Sequence, residues 1–285
     1  MSMPFAEVIG DPIHQSKSPR IHRFWLEKLG IEADYRATRV TEADLADYLA
    51  ERQADLNWRG CNVTMPLKQA VQPHLYSVEE PAASIGAVNT IYPAFDRLLA
   101  GTNTDAAGFL EPLTQHLSGT HLFRMARIIG AGGAARAIAH ALAAQNFTLV
   151  IAARRIEQAQ EIAGSLPGTG EHHTVQLDHF AQPTDFAFDD RVGLLDLVVN
   201  ASPLGMRGKA PLALDWSHAP PGAIAYDIVT DPLDTPFLQT ARDAGHETID
   251  GLSMLIGQAA EAFRLFFGEA APRQYDAELR RILTA

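Results

Sequence analysis

The stretch Ile128-Ile129-Gly130-Ala131-Gly132-Gly133-Ala134-Ala135 decides the architecture. Apolar β-branched residues run into a glycine turn, and the helix-forming run Ala134–Gln145 follows. Counted from Gly130, the spacing is G-x-G-x-x-A, with Ala135 at the third small position. Gly130 permits the tight turn, Gly132 lets the main chain approach a pyrophosphate, and Ala135 lets helix and strand pack closely. The helix N-terminus faces the negative charge. A glycine motif alone is weak evidence, but here the strand before it and the helix after it supply the required context. The pattern predicts a dinucleotide cradle made by Gly130, Ala131, Gly132, Gly133 and Ala134.

The next strand, Thr148–Ile151, ends in Ala152-Ala153-Arg154-Arg155. A site selective for NAD places Asp or Glu near this point to hold the ribose 2′-hydroxyl. Two arginines instead suit a 2′-phosphate, which guanidinium groups bind through charge-assisted bidentate hydrogen bonds. NADP is therefore the expected cofactor, held by Arg154 and Arg155. The plainer alternative is a pair of solvated arginines at the start of the next helix.

Outward from this motif, short β-like runs alternate with amphipathic stretches. Phe5–Ile9, Tyr35–Val40, Cys61–Val63, Leu149–Ile151, Leu197–Val199 and Ile224–Tyr226 read as strands. Pro19–Leu29, Glu42–Arg52, Ile156–Leu166 and Thr235–Ala244 read as helices. The alternation predicts an α/β protein with parallel sheets covered by helices. A length of 285 residues suggests two domains. Residues 1–105 are expected to form a substrate domain and 106–272 the Rossmann domain, with a last helix in 273–285 packing back on the first.

Lys plus Arg number 23 against 34 Asp plus Glu, and the net charge of −11 disfavours a nucleic-acid surface. It leaves room for a small anion held by a few local cations. The single cysteine, Cys61, excludes an intrachain disulfide. Residues 1–7 lack the basic and apolar segments of a signal peptide, and no apolar run approaches the roughly 18 residues that span a bilayer. A soluble cytoplasmic protein, monomeric or homodimeric, is expected. The scattered histidines lack ligand spacing, so no metal is expected.

With the glycine motif in the second half, the first half should supply the substrate site. Four polar clusters follow apolar runs there: Ser16-Lys17-Ser18-Pro19, Asn62-Val63-Thr64-Met65-Pro66-Leu67-Lys68, Gly86-Ala87-Val88-Asn89-Thr90 and Asn103-Thr104-Asp105. Taken singly, each has a bland reading: Ser18-Pro19 is an ordinary helix start, and Lys68 alone a solvated lysine. In open α/β folds, however, ligands collect at the carboxyl ends of strands, where such turns lie.

These four clusters, together with Asn200-Ala201-Ser202-Pro203-Leu204-Gly205-Met206, Tyr226-Asp227, Thr235-Pro236-Phe237-Leu238 and Gly251-Leu252-Ser253-Met254-Leu255-Ile256-Gly257-Gln258, resemble the shikimate dehydrogenase family in order and over nearly the whole chain. The resemblance implies NADP-linked, reversible reduction of 3-dehydroshikimate to shikimate, a step toward chorismate and the aromatic amino acids. It implies an N-terminal substrate domain, a C-terminal Rossmann domain and a cleft between them. By motif position, Lys68 and Asp105 would be the catalytic pair. Ser16, Ser18, Thr64, Lys68, Asn89, Asp105 and Gln258 would bind the substrate, and Asn200, Ile228 and Gly251 would lie near the cofactor.

The chemistry agrees independently. Oxidising an alcohol by hydride transfer requires its proton to be removed as the carbonyl forms, and a lysine can serve where its surroundings tune it. Asp105 could hold the substrate hydroxyl and orient the ammonium group; which of the two moves the proton is open at this point. Two departures from the family pattern stand out. Ala153 replaces a usual Asn before Arg154, and Thr230 occupies a position where the family commonly has a substrate-contacting Tyr. The shorter Thr230 keeps open a related enzyme acting on quinate or another cyclic hydroxy acid. A non-catalytic ligand sensor is a further alternative, against which the retention of Lys68 and Asp105 weighs.

Overall fold

The computed structural model describes residues 3–168, 170–185 and 193–285. They form two compact units, one comprising the chain up to Gly108 together with Ile256–Ala285, the other Phe109–Leu255.

In the first unit, β1 (Phe5–Gly10), β2 (Asp34–Arg39), β3 (Trp58–Val63), β4 (Ser77–Val78), β5 (Thr90–Pro93) and β6 (Leu99–Thr102) form one sheet in the order β2-β1-β3-β5-β6-β4. The parallel pairing expected from the sequence holds for β1, β2 and β3 and again for β4 with β6, but β5 interrupts it. β5 runs antiparallel to both β3 and β6. The β5–β6 pairing follows from the short hairpin at 94–98, where Asp96 and Arg97 take positive φ. A turn that tight can join only antiparallel strands, whereas a parallel pair needs a crossover of a dozen or more residues.

The second unit carries β7 (Phe123–Ile129), β8 (Thr148–Ala153), β9 (His173–Gln176), β10 (Leu194–Asn200), β11 (Ile224–Asp227) and β12 (Glu247–Ile249). Their order is β12-β11-β10-β7-β8-β9, every pair parallel. This is the doubly wound arrangement, with the chain reversing direction across the sheet at β7 and β10. Its apolar strands need no alternation because both faces are covered. Ile128, Ile151, Leu197 and Val199 enter one core, and their neighbours Ile129, Val150, Ala152 and Val198 enter the other, as the two-residue period of a strand dictates.

The expected second domain, 106–272, differs from the observed unit at its end. The helix Gly251–Phe267 passes from one unit to the other at Leu255 and Ile256. Its later residues Ala262 and Phe266 share a core with Ala6, Val8, Ile13 and Tyr35 of the first unit. The close fit is visible at Gly60, where a Cβ would lie 2.6 Å from the Phe266 ring and 2.5 Å from Ile91 O. The last helix, Asp276–Thr284, belongs to the first unit as well, buries Leu279 and Leu283, and pairs Glu278 with Lys28 at 3.0 Å.

Candidate active site

Two turns at the carboxyl ends of β3 and β6, and the segment entering the antiparallel β5 between them, converge on Lys68. After β3 the chain turns through Thr64, whose N–H donates to Ile9 O at 2.9 Å, into the short helix Leu67–Ala70 that carries Lys68. Before β5, Val88 N–H donates to Lys68 O at 2.8 Å, which ties the Gly86–Thr90 segment beside it. After β6, Asn103 accepts from Asp105 N–H at 2.9 Å and donates to Ala87 O at 2.8 Å, so its side chain shapes the turn that starts the helix at Asp105. Lys68 Nζ ion-pairs with Asp105 Oδ2. Their side chains are only 14% and 7% exposed, so the pair is largely withdrawn from solvent screening.

Asn89 donates to Asp105 Oδ1 at 2.8 Å and to Thr104 Oγ1 at 3.0 Å, and the Thr104 hydroxyl reaches Gln258 Oε1 at 3.5 Å. The fold thus gathers Lys68, Asn89, Asp105 and Gln258 into one buried polar cluster. Ser16 and Ser18 sit one strand over, after β1. Ser16 Oγ accepts from Ser18 N–H at 3.3 Å, and Ser18-Pro19 opens the helix Ser18–Leu29. Gly10 admits the close approach of the Thr64 turn, since a Cβ there would lie 2.5 Å from Thr64 Cγ2.

The second candidate region is the turn after β7. Gly130 has φ +122°, and a Cβ on it would lie 2.7 Å from Ala201 O, so this position needs glycine on two counts. Gly132 has an ordinary extended backbone, and a Cβ there would meet nothing within 4 Å. That vacant volume lies at the N-terminus of the helix Gly133–Ala144, whose first amides have no side-chain cap. The combination fits a pyrophosphate lying where a side chain would otherwise stand. Ala131 and Ala134 complete the turn.

Arg154 and Arg155 are exposed at the end of β8. Arg155 donates to Gln158 Oε1 at 3.1 Å, while Arg154 borders an open groove of about 450 Å³ lined also by Gln176, Leu177, Leu204 and Leu212.

Asn200 and Asp227 shape the neighbouring turns. Asn200 donates to Leu204 O and Asp227 Oδ1 and accepts from Ser202, so its amide braces the loop after β10. Asp227, fully buried, also accepts from Thr235 Oγ1 at 2.6 Å and from Val229 N–H at 2.9 Å. Burial pushes its carboxyl up to about 6, against these hydrogen bonds. Ile228 and Thr230 are half-buried on the following loop. Gly251 is packed so tightly on Ile228 and Val229 that any Cβ would strike their main chain. Among the described residues, no group of three or more His, Cys, Asp or Glu could hold a metal ion, and no helix is long and apolar enough to cross a membrane.

Residues 8–91 match the model of the shikimate dehydrogenase substrate binding domain, and 251–278 that of the shikimate 5′-dehydrogenase C-terminal domain. A shikimate dehydrogenase (NADP(+)) of Sphingopyxis alaskensis is 49% identical over 284 residues, 99% of this chain and 97% of that protein. The chain belongs to the shikimate dehydrogenase family. Among solved members of the fold, the shikimate 5-dehydrogenase of Thermus thermophilus, in complex with NADP(H) and shikimate, has a TM-score of 0.82 and 34% identity, covering 99% of this chain and 100% of that one. A quinate dehydrogenase from Corynebacterium glutamicum, in complex with NAD, has a TM-score of 0.83 and 31% identity, with 98% and 99% covered.

Beyond the residues singled out from the shikimate dehydrogenase motifs, the structure adds Asn62, Thr90, Asn103 and Thr104, all buried and hydrogen-bonded within or beside the Lys68 cluster. Each stands inside a quoted motif, so its position was visible while its role was not. Asp227 is of the same kind.

Proposed function

We propose that this chain is an NADP-dependent oxidoreductase that reversibly reduces 3-dehydroshikimate to shikimate, with Lys68 and Asp105 as its catalytic pair. The observation that carries the reading is the buried Lys68–Asp105 ion pair, braced by Asn89 at the carboxyl ends of the strands. When bound, NADP supplies the hydride acceptor, and NADPH the donor. Gly130, Ala131, Gly132, Gly133 and Ala134 hold its pyrophosphate, Arg154 and Arg155 its 2′-phosphate, and Asn200, Ile228 and Gly251 border it.

Lys68 takes the proton from the substrate hydroxyl as the carbonyl forms and returns it in the reverse direction. A positioned side chain of this kind contributes about 10²–10⁴-fold to a rate. Asp105, fixed by Asn89 and by its own N–H to Asn103, holds both the ammonium group and the hydroxyl that reacts. Ser16 and Ser18 bind the substrate carboxylate. Thr64, Asn89 and Gln258 bind its hydroxyls, for which short donors and acceptors are suited. The domain assignment follows: the first unit takes the substrate and the second the cofactor. The enzyme works in the cytoplasm as a monomer or homodimer, without nucleic acid.

The test is to follow absorbance at the nicotinamide band with purified protein, offering shikimate and quinate separately, each with NADP and with NAD. Fast reduction of NADP with shikimate is expected. Tight NADPH binding without turnover of shikimate would defeat the substrate assignment, and quinate preferred over shikimate would give Thr230 the role of widening the pocket.

A further inference from the structure

We infer that Tyr35 is a positioning residue for the Lys68–Asp105 pair, acting through a one-directional chain of buried hydrogen bonds. The direction follows from a main-chain anchor. Thr104 N–H donates to Asn89 Oδ1 at 2.8 Å, which identifies that atom as oxygen. The amide nitrogen of Asn89 is therefore the end that reaches Asp105 Oδ1 at 2.8 Å. The Thr90 hydroxyl, 2.9 Å from Asn89 Oδ1, must donate there, and it accepts in turn from Asn62 Nδ2 at 3.0 Å. Asn62 is left with its Oδ1 facing the Tyr35 hydroxyl at 2.6 Å, so Tyr35 must donate. Every proton in the series Tyr35, Asn62, Thr90, Asn89 points toward Asp105.

Such a series matters because its members polarise one another in a low-dielectric interior, and because water cannot substitute for a lost link. Tyr35 and Thr90 have no exposed surface, Asn89 has 2% and Asn62 5%. The phenol cannot turn away either. His22 stacks on it at 3.9 Å with an interplanar angle of 3°, and Phe266 closes the other approach at 6.3 Å. Deleting the Tyr35 hydroxyl strands a buried amide oxygen on Asn62, and an orphaned buried acceptor is costly enough to drive rearrangement. Asn62 relieves it by rotating, which releases Thr90 and then Asn89, the group that fixes the Asp105 carboxylate.

This inference rests on the proposed function, and wild-type turnover of shikimate is its first control. Tyr35→Phe in the full chain is expected to lower kcat about fivefold, the rate equivalent of one net hydrogen bond. The NADPH Kd should stay within about twofold, and the shikimate KM, which Asn89 also touches, should change less than kcat, a loss weighted toward the transition state. In an Asn89→Ala background the same substitution should cost nothing further, since the chain is already cut there. Thr90→Val removes the two links nearest Asn89 and should reproduce the kcat loss, so the idea stays testable if Tyr35→Phe folds poorly. A lowered Tm with wild-type kcat in both variants would make the series structural only. Losses that multiply in the double variant would place Tyr35 outside the path through Asn89. A wild-type protein inert toward shikimate would sink the functional reading and this inference with it.

Discussion

The Lys68 cluster and the turn at Gly130–Ala134 do their work in opposite ways. In the proposed function the chemistry around Lys68 falls to side chains, and each is held by another: Asn89 by Thr90 and Thr104, Asp105 by Asn89 and Asn103. At the glycine turn the proposed binding groups are main-chain amides, and no side chain stands in front of them. The first region is damaged by losing a polar atom and the second by gaining a carbon. Both lie at the carboxyl ends of strands, so the fold offers the same location for both solutions and the sequence chooses between them.

The largest expected effect breaks the first region alone. Lys68→Ala should lower kcat by about 10²–10⁴-fold, the usual range for a positioned proton-transfer group, while the NADPH Kd, measured by fluorescence titration, stays at the wild-type value. Turnover within about threefold of wild type would remove Lys68 from the proton-transfer role. The matching experiment breaks the second region alone. Gly132→Val adds atoms where nothing lies within 4 Å, on a backbone that any residue adopts. The fold should survive with an unchanged Tm, and NADPH binding should weaken by about 10- to 100-fold. Gly130→Ala is the contrasting control. Its Cβ would strike Ala201 O from a positive-φ backbone, so it should lower Tm as well as binding. Equal Tm losses in the two glycine variants would mean the cradle is a packing feature and not a ligand site.

A smaller effect is expected at the end of β8. Arg154 borders the open groove there, whereas Arg155 is engaged with Gln158. Arg154→Ala should raise the NADP KM about tenfold, within the range of a lost charge-assisted hydrogen bond, and leave the NAD KM unchanged. An equal rise for both cofactors would separate Arg154 from the 2′-phosphate.

How far the sequence could be read differs between the two regions for the same physical reason. A glycine turn is local: β7, the turn and the helix are contiguous, and residue type reports backbone freedom directly, so the strand–turn–helix at Gly130 and Gly132 was legible in eight consecutive residues. The Lys68 cluster is assembled from turns separated by tens of residues. Lys68 and Asp105 were put together only on motif order, and the ion pair they form depends on an antiparallel β5–β6 hairpin that the alternating pattern did not reveal. Tyr35 gave no signal, since a tyrosine in a strand reads as core and its hydroxyl acquires meaning only when β2 and β3 are seen flanking β1. The same holds for the helix Gly251–Phe267, where periodicity identified an apolar face and could not say which unit it would cover.

Asn200, Asp227 and Thr235 brace turns of the second unit, and the titration of Asp227 offers the finest test of the contrast. Asp227 is fully buried among the neutral donors Thr235, Val229 N–H and Asn200. Burial raises its folded-state value to about 6 from an ordinary 3.8. A carboxyl whose folded value lies above its unfolded one binds its proton more tightly in the native state. Its contribution to stability is complete below about pH 4 and is lost as pH rises through about 6, amounting to at most about 3 kcal/mol. Asp196, beside Arg127 at 2.5 Å and likewise raised to about 6 by burial, declines over the same window. Asp227→Asn removes only the first of these. The amide must donate to Thr235 Oγ1, which already accepts from Leu238 N–H at 3.3 Å, so the Thr235 proton loses its acceptor at a cost of about 1 kcal/mol at every pH. The offset between variant and wild type is therefore uninformative, and the slope decides. Chemical denaturation at intervals from pH 4 to pH 7 should show the variant gaining on the wild type as pH rises, with NADPH affinity at neutral pH little changed if Asp227 only braces the turn. Parallel stability curves would mean that Asp227 is ionised throughout and that the three donors outweigh its burial.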